Sequence, residues 1–160
     1  MSALDRDLER LADWLDQEVE ARRELIDLLE RQERAVLAAA PGDLEAATLA
    51  VGRALEREPA SSARRRELFA SLARAWRASS DALTLGSIAE RAGDHPSRGR
   101  IEAARRSLRE AVVEVARRNR RVAALVRARR RVVGELVGLI VRGAEDASPV
   151  GAGTLVDARA

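Results

Sequence analysis

The chain has 160 residues, 46% of them hydrophobic and 34% charged, with two Trp, one Phe and no Tyr. That hydrophobic share predicts a folded core, while so few aromatics argue against a sandwich or barrel. With no Cys and a single His, His95, the chain lacks thiol nucleophiles, disulfides, zinc clusters and His-based triads, so neither an enzyme nor a bound cofactor or metal is expected.

The net charge of +3 is unevenly spread. Residues 1–59 carry −7, residues 60–100 carry +4, residues 101–142 carry +8, and the remainder −2. An acidic beginning and a basic end suit each other as packed neighbours. All 29 cations are Arg, which points to a compositional bias rather than to phosphate recognition, where Lys normally joins Arg. Residues 1–20 alternate acids with leucines and lack the basic start and apolar run of a signal peptide. The most apolar stretch, 132–141, is too short to span a bilayer and contains Glu135. A cytoplasmic protein without membrane insertion is expected.

In chain order, residues 4–39 read as a helix. Leu4, Leu8, Leu11 and Leu15 step by helical spacing, and Leu25, Ile26, Leu29, Val36 and Leu37 resume the face. Glu18 and Arg22 fall where that face calls for apolar residues. Pro41-Gly42 ends the helix, and Asp43 is a candidate cap for the next. The second segment presents Leu44, Leu49 or Thr48, Val51 and Leu55, meets Pro59, and resumes through Leu68, Phe69, Leu72 and Trp76 with Ser61 or Ser62 as a candidate cap. Pro59 either kinks one helix or separates two; equal length with the first helix favours the kink. Thr84 to Ala92 makes a short connector helix among the breakers Gly93, Pro96 and Gly99.

The last helix, to about Arg142, has the clearest pattern. Ile101, Leu108, Val115, Val122 and Leu136 repeat every seven residues, as do Val112, Val126, Val133 and Ile140, with Asn119 in the second register. Ala104, Ala111, Leu125, Val132 and Leu139 widen the stripe beyond what a two-stranded seam needs. The expected fold is therefore all-α: an elongated antiparallel bundle of three long helices, the second kinked or split at Pro59, plus a short connector helix. The bundle domain covers 1–142, and 143–160 is a flexible tail with little apolar area beyond Val150, Leu155 and Val156.

Several motifs invite a function. TLGSIAERAG (84–93) looks like the first helix of a helix-turn-helix, but the helix that follows carries a heptad stripe rather than a polar recognition face, which favours a connector. The arginine run 117–131 has no interleaved aromatics for stacking bases, which favours a solvated face pairing with the acidic first helix. Gly134 and Gly138 suggest a close helix crossing. His95 reads as an exposed loop residue, and Trp14, Phe69 and Trp76 as core or partner-groove residues. Asn119 reads as a register-setting polar residue in the seam. In an up-down-up bundle whose first and last helices begin level, Glu18, Arg22 and Asn119 should meet in one buried polar layer.

Three segments together carry a family resemblance. ELIDLLERQERAVLAAAPGDLEAATLAVGRALE (24–56) resembles the N-terminal half of FlgN-like flagellar export chaperones, and TLGSIAERAG the segment before the family's final helix. NRRVAALVRARRRVVGELVGLI (119–140) resembles that helix, whose Asn-x-x-Asn is matched by Asn119 alone, with Ala116 at the first position. GTLVDARA (153–160) resembles the family's C-terminal end, with Leu155 or Val156 in place of its customary Tyr.

The resemblance implies a cytoplasmic type III secretion chaperone that binds the C-terminal helices of hook–filament junction proteins and delivers them to the flagellar export apparatus. Helix-in-groove packing would do this without chemistry. The wide stripe together with the resemblance makes Val115, Asn119, Val122, Val126, Val133, Leu136 and Ile140 the candidate partner-binding residues. Two alternatives are a helical nucleic-acid-binding protein using the basic last helix, and a structural coiled-coil protein, which would bring self-association.

Overall fold

The computed structural model describes residues 2–146, and all its regular structure is helical. Helix α1 spans Ala3–Leu37, α2 Pro41–Leu55 and α3 Glu58–Ala75. A single 3-10 turn at Ser80–Ala82 and the short α4, Leu85–Arg91, lead into α5, Ser97–Asp146. The all-α bundle expected from the heptads is what forms. The expected tail lies, from residue 147 onward, outside the described residues.

Local chemistry sets most boundaries. Ser2 caps α1 in a reciprocal box with Asp5, and Thr84 does the same for α4 with Ser87. Ala39, at φ 55, closes α1 in the left-handed region. Pro41 is then the first residue of α2 rather than a breaker outside it, because the first turn of a helix needs no amide donor there. Asp43 lies in that first turn and is not the cap; Ala40 holds the cap position without a side-chain bond. Pro59 likewise stands in the first turn of α3. Ser61 and Ser62 are inside that helix, so neither caps it.

Glu56 and Arg57, between α2 and α3, keep right-handed helical dihedrals, so the chain bends without reversing. Their partners on α1 confirm it. Gln32 bonds Thr48 at 2.9 Å, Glu24 meets Arg57 at 2.9 Å, Trp14 bonds Ser61 at 3.0 Å and Asp7 meets Ser71 at 2.5 Å. Contacts step down α1 as they step along α2 and α3, the pattern of one bent arm antiparallel to α1. Pro59 is a kink.

Helix α5 runs parallel to α1. Arg100 reaches Asp13 and Asp16, Arg118 reaches Glu30 and Glu33, and Arg129 reaches the Val36 carbonyl. The parallel direction is as expected; the register is not. Glu30 and Glu33, not Glu18, lie level with Arg118, a slip of about three turns or roughly 16 Å. The cause is α4 and its loop. They occupy the flank of α1's first turns, where His95 sits 3.7 Å from Asp5, so α5 begins further along α1.

The expected polar layer therefore does not form. Asn119 is exposed. Glu18 and Arg22 instead join α3: Arg22 bridges Glu18 at 3.2 Å and also Glu58, while the Ser61 hydroxyl donates to Glu18. The seam's need for polar satisfaction is met by the bent arm rather than by α5.

The core sits at one end, where α1, α3, α4 and α5 converge. Leu8, Leu11, Leu15, Leu72, Ile88 and Ile101 are fully buried there. Trp14 belongs to this core, and Phe69 and Trp76 pack against it half-buried. His95 is half-buried, not exposed: its Nδ1 accepts from the Ser97 amide at 3.1 Å as α5 begins. Toward the other end the bundle thins to α1 flanked by α2 and α5, holding Leu25, Leu29, Val36, Ala47 and Val122.

Candidate functional site

The late start of α5 has a direct consequence. This helix has 50 residues against 35 for α1, so its C-terminal part outruns the bundle. Arg129 donates to the Val36 carbonyl at 2.8 Å, at the last turn of α1. From there α5 extends roughly 25 Å to Asp146 at 1.5 Å per residue, four residues past the Arg142 end expected from sequence.

That projecting segment is apolar and open to solvent. Val132, Val133, Leu136, Val137, Leu139, Ile140 and Val141 are 51–70% exposed. At helical spacing Val133, Leu136, Val137 and Ile140 continue the side that Ala104, Ala111 and Val122 turn toward α1, and Val132, Leu139 and Val141 border it. The apolar stripe is thus one feature used twice, covered by α1 over its first part and uncovered beyond it. Exposed hydrophobic residues this clustered mark an interaction surface.

The seven candidate residues divide accordingly. Val122 is buried at 5% exposure, and Val115 and Val126 are half-buried on the α1 side. Val133, Leu136 and Ile140 stand free on the projecting segment. Asn119 is exposed at the edge of that stripe and is not the buried seam residue its heptad position suggested. Val132, Val137, Leu139 and Val141 share the free surface without having been among the candidates, although Val132 and Leu139 already widened the stripe and the apolar run 132–141 was the signal that could have found all four. Among the described residues no helix crosses at Gly134 or Gly138. A side chain at Gly134 would meet nothing within 4 Å, and at Gly138 only Arg142. The expected close crossing is absent there.

Electrostatics on the bundle side are those of packed neighbours. Arg118 joins Glu30 at 2.6 Å, Glu114 at 2.6 Å and Glu33 at 3.6 Å, and Arg121 joins Glu33 at 2.6 Å. Glu33 is buried, and its Oε2 has no hydrogen-bond partner among the described residues. Part of the arginine run thus pairs with the acidic first helix, as expected. Hydrogen bonds from Arg117 and then Arg118 hold the Glu114 carboxyl down at about 2 from its ordinary 4.5. Being depressed, its favourable pairing is present above pH 4.5 and is lost only as pH falls through about 2. Carboxyl-carbon NMR should therefore show Glu114 titrating near 2, and Arg117→Ala should move that midpoint upward.

The helix-turn-helix reading fails on the same geometry. The helix after α4 is α5, whose beginning is tied down by Ile101 in the core and by Arg100 on Asp13 and Asp16. No group of three or more metal-ligating side chains occurs among the described residues, and no described helix is long and apolar enough to cross a membrane.

No curated protein and no solved structure matches the chain. The family model described as FlgN protein matches residues 1–149, which takes in the bent arm, the connector and the whole of α5. With nearly its full length matched, the chain belongs to the FlgN family of flagellar export chaperones.

Proposed function

We propose that this chaperone acts in the cytoplasm on hook–filament junction proteins, holding their C-terminal helices on the projecting part of α5 and delivering them to the type III export apparatus. The observation that carries this reading is the uncovered apolar surface from Val132 to Val141. An amphipathic client helix could lie against it as a continuation of α1, covering the stripe where α1 stops. Leu37, 61% exposed at the end of α1, would meet the end of that helix. Such docking needs only an apolar face of about three turns on the client, the helix-in-groove mode. A subunit terminus that is apolar before assembly is shielded in the same act.

Calorimetric titration of the chain with C-terminal segments of junction proteins tests the reading. One-to-one binding with a negative heat-capacity change is expected, since apolar surface is buried. Absence of binding to junction-protein termini, with binding to flagellin termini instead, would assign it other clients.

A further inference from the structure

The side of α5 facing away from α1 carries a row of arginines that the bundle does not use. Arg106, Arg109, Arg120, Arg127 and Arg131 are all exposed, and none has a carboxylate within salt-bridge distance among the described residues. Val113, Arg117 and Ala124, also exposed, fill the gaps, so the row advances by three or four residues throughout. At 100° per residue these positions cluster opposite Ala104, Ala111 and Val122, the residues buried against α1. The row is about 38 Å long. Along it the flanking acids are Glu110 and Glu114, and Glu114 is already bridged by Arg117 and Arg118; at its ends Glu102 is bridged by Arg98 and Glu135 stands one turn past Arg131. Most acids of α1 are engaged elsewhere, Asp13 and Asp16 by Arg100, Glu24 by Arg57, Glu30 and Glu33 by Arg118 and Arg121, while Glu9 and Asp27 are exposed on α1 and bridge none of the row. Packing against the acidic helix therefore accounts for one flank of α5 and leaves its outer face as surplus positive charge.

We propose that this outer arginine row is a docking surface for an anionic lipid membrane, on which the chaperone lies peripherally through headgroup phosphates. Shape selects this partner among polyanions. The row runs along the ridge of a single helix, and a straight convex ridge meets a flat charged plane along its whole length. A straight helix can follow the major groove of a duplex for only part of a row this long, since the groove curves away, and α5 has no aromatic side chain on which single-stranded bases could stack. Guanidinium groups bind phosphate oxygens bidentately, and juxtamembrane basic clusters gain affinity with each added charge. The row also lies opposite the free apolar surface of Val133, Leu136 and Ile140, so adsorption through the arginines leaves that surface open. Binding here is electrostatic and superficial; the helix does not insert.

Flotation with vesicles tests the proposal. The full chain should float with vesicles of mixed phosphatidylglycerol and phosphatidylcholine, but not with phosphatidylcholine alone. Salt of about 0.5 M, where screening shortens to a few ångströms, should release it. Combining Arg106→Gln, Arg109→Gln, Arg120→Gln, Arg127→Gln and Arg131→Gln should lower the bound-to-free ratio by more than about 100-fold, with helicity and thermal midpoint near those of the parent. Lys at the same five positions should keep most of the binding. A Val133→Asp, Ile140→Asp variant should float like the parent. Equal binding to neutral vesicles, loss of binding in the apolar variant instead of the arginine variant, or capture of duplex DNA or an acidic protein in preference to anionic vesicles would each overturn the assignment.

Discussion

Replacing Leu11 with Ala is expected to destabilise the protein by about 3 kcal/mol, within the range of large-to-small changes at fully buried sites. Leu11 is 0% exposed and lies in the cluster where α1, α3, α4 and α5 meet. Its neighbours Leu8, Leu15, Leu72, Ile88 and Ile101 come from four separate helices, so no single side chain can swing in to fill the void without disturbing another element. For a chain of this size the loss should lower the thermal midpoint by roughly 6–12 °C. Leu49→Ala, at a site 59% exposed on α2, serves as the control and should change stability by less than about 0.5 kcal/mol. A Leu11 effect as small as the control's would mean that the convergence of four helices is not where the fold is held.

The same asymmetry orders the dynamics. Amide exchange should be slowest in the α1, α3 and α5 turns around that cluster. It should be fastest past Arg129, where α5 has no neighbour among the described residues to restrain it. Among the described residues, a single helix that outruns its bundle is supported by its own hydrogen bonds and by Arg129 on the Val36 carbonyl.

Much of this was legible in the residues, and the reasons are particular. The helices were legible because Leu4, Leu8, Leu11 and Leu15, and later Ile101, Leu108, Val115 and Val122, keep a period that only a helix can bury on one face. The parallel direction of α1 and α5 followed from a bent second arm. Register was not legible. It depends on where α4 docks, and α4 docks through Ile88 and Ala89, with Leu83 just before it, whose burial no local pattern announces. Placing Asn119 beside Glu18 assumed that the two long helices start level; the connector makes them start three turns apart. The polar residues in the seam then found other partners: Glu18 took Ser61, and Arg22 took Glu58. The candidate site was half legible for the same cause. A heptad shows that Val122 and Val133 share a face, but only the register tells which of them α1 covers.

That division carries the second large effect. Val133→Asp together with Ile140→Asp should abolish binding of a junction-protein C-terminal segment while leaving the fold intact. Both residues are more than half exposed, at 51% and 70%, so an aspartate there meets water and strands no buried charge. The parent's stability should be kept within about 1 kcal/mol. In a complex the situation inverts. A client helix seated on the stripe would take both carboxylates out of water against apolar side chains, and on α5 only Arg129 and Arg130, four and three residues before position 133, are within helical reach of either. Even a few kcal/mol of desolvation per group amounts to a loss of 100-fold or more in affinity, taking about 1.4 kcal/mol for each factor of ten. Val122→Asp should behave in the opposite way. At 5% exposure it faces α1, so it should unfold or loosen the thin end of the bundle before any question of binding arises. Calorimetric titration paired with thermal melts separates the two. If the Val133, Ile140 variant binds as the parent does, the client lies elsewhere, and the uncovered part of α5 needs another occupant.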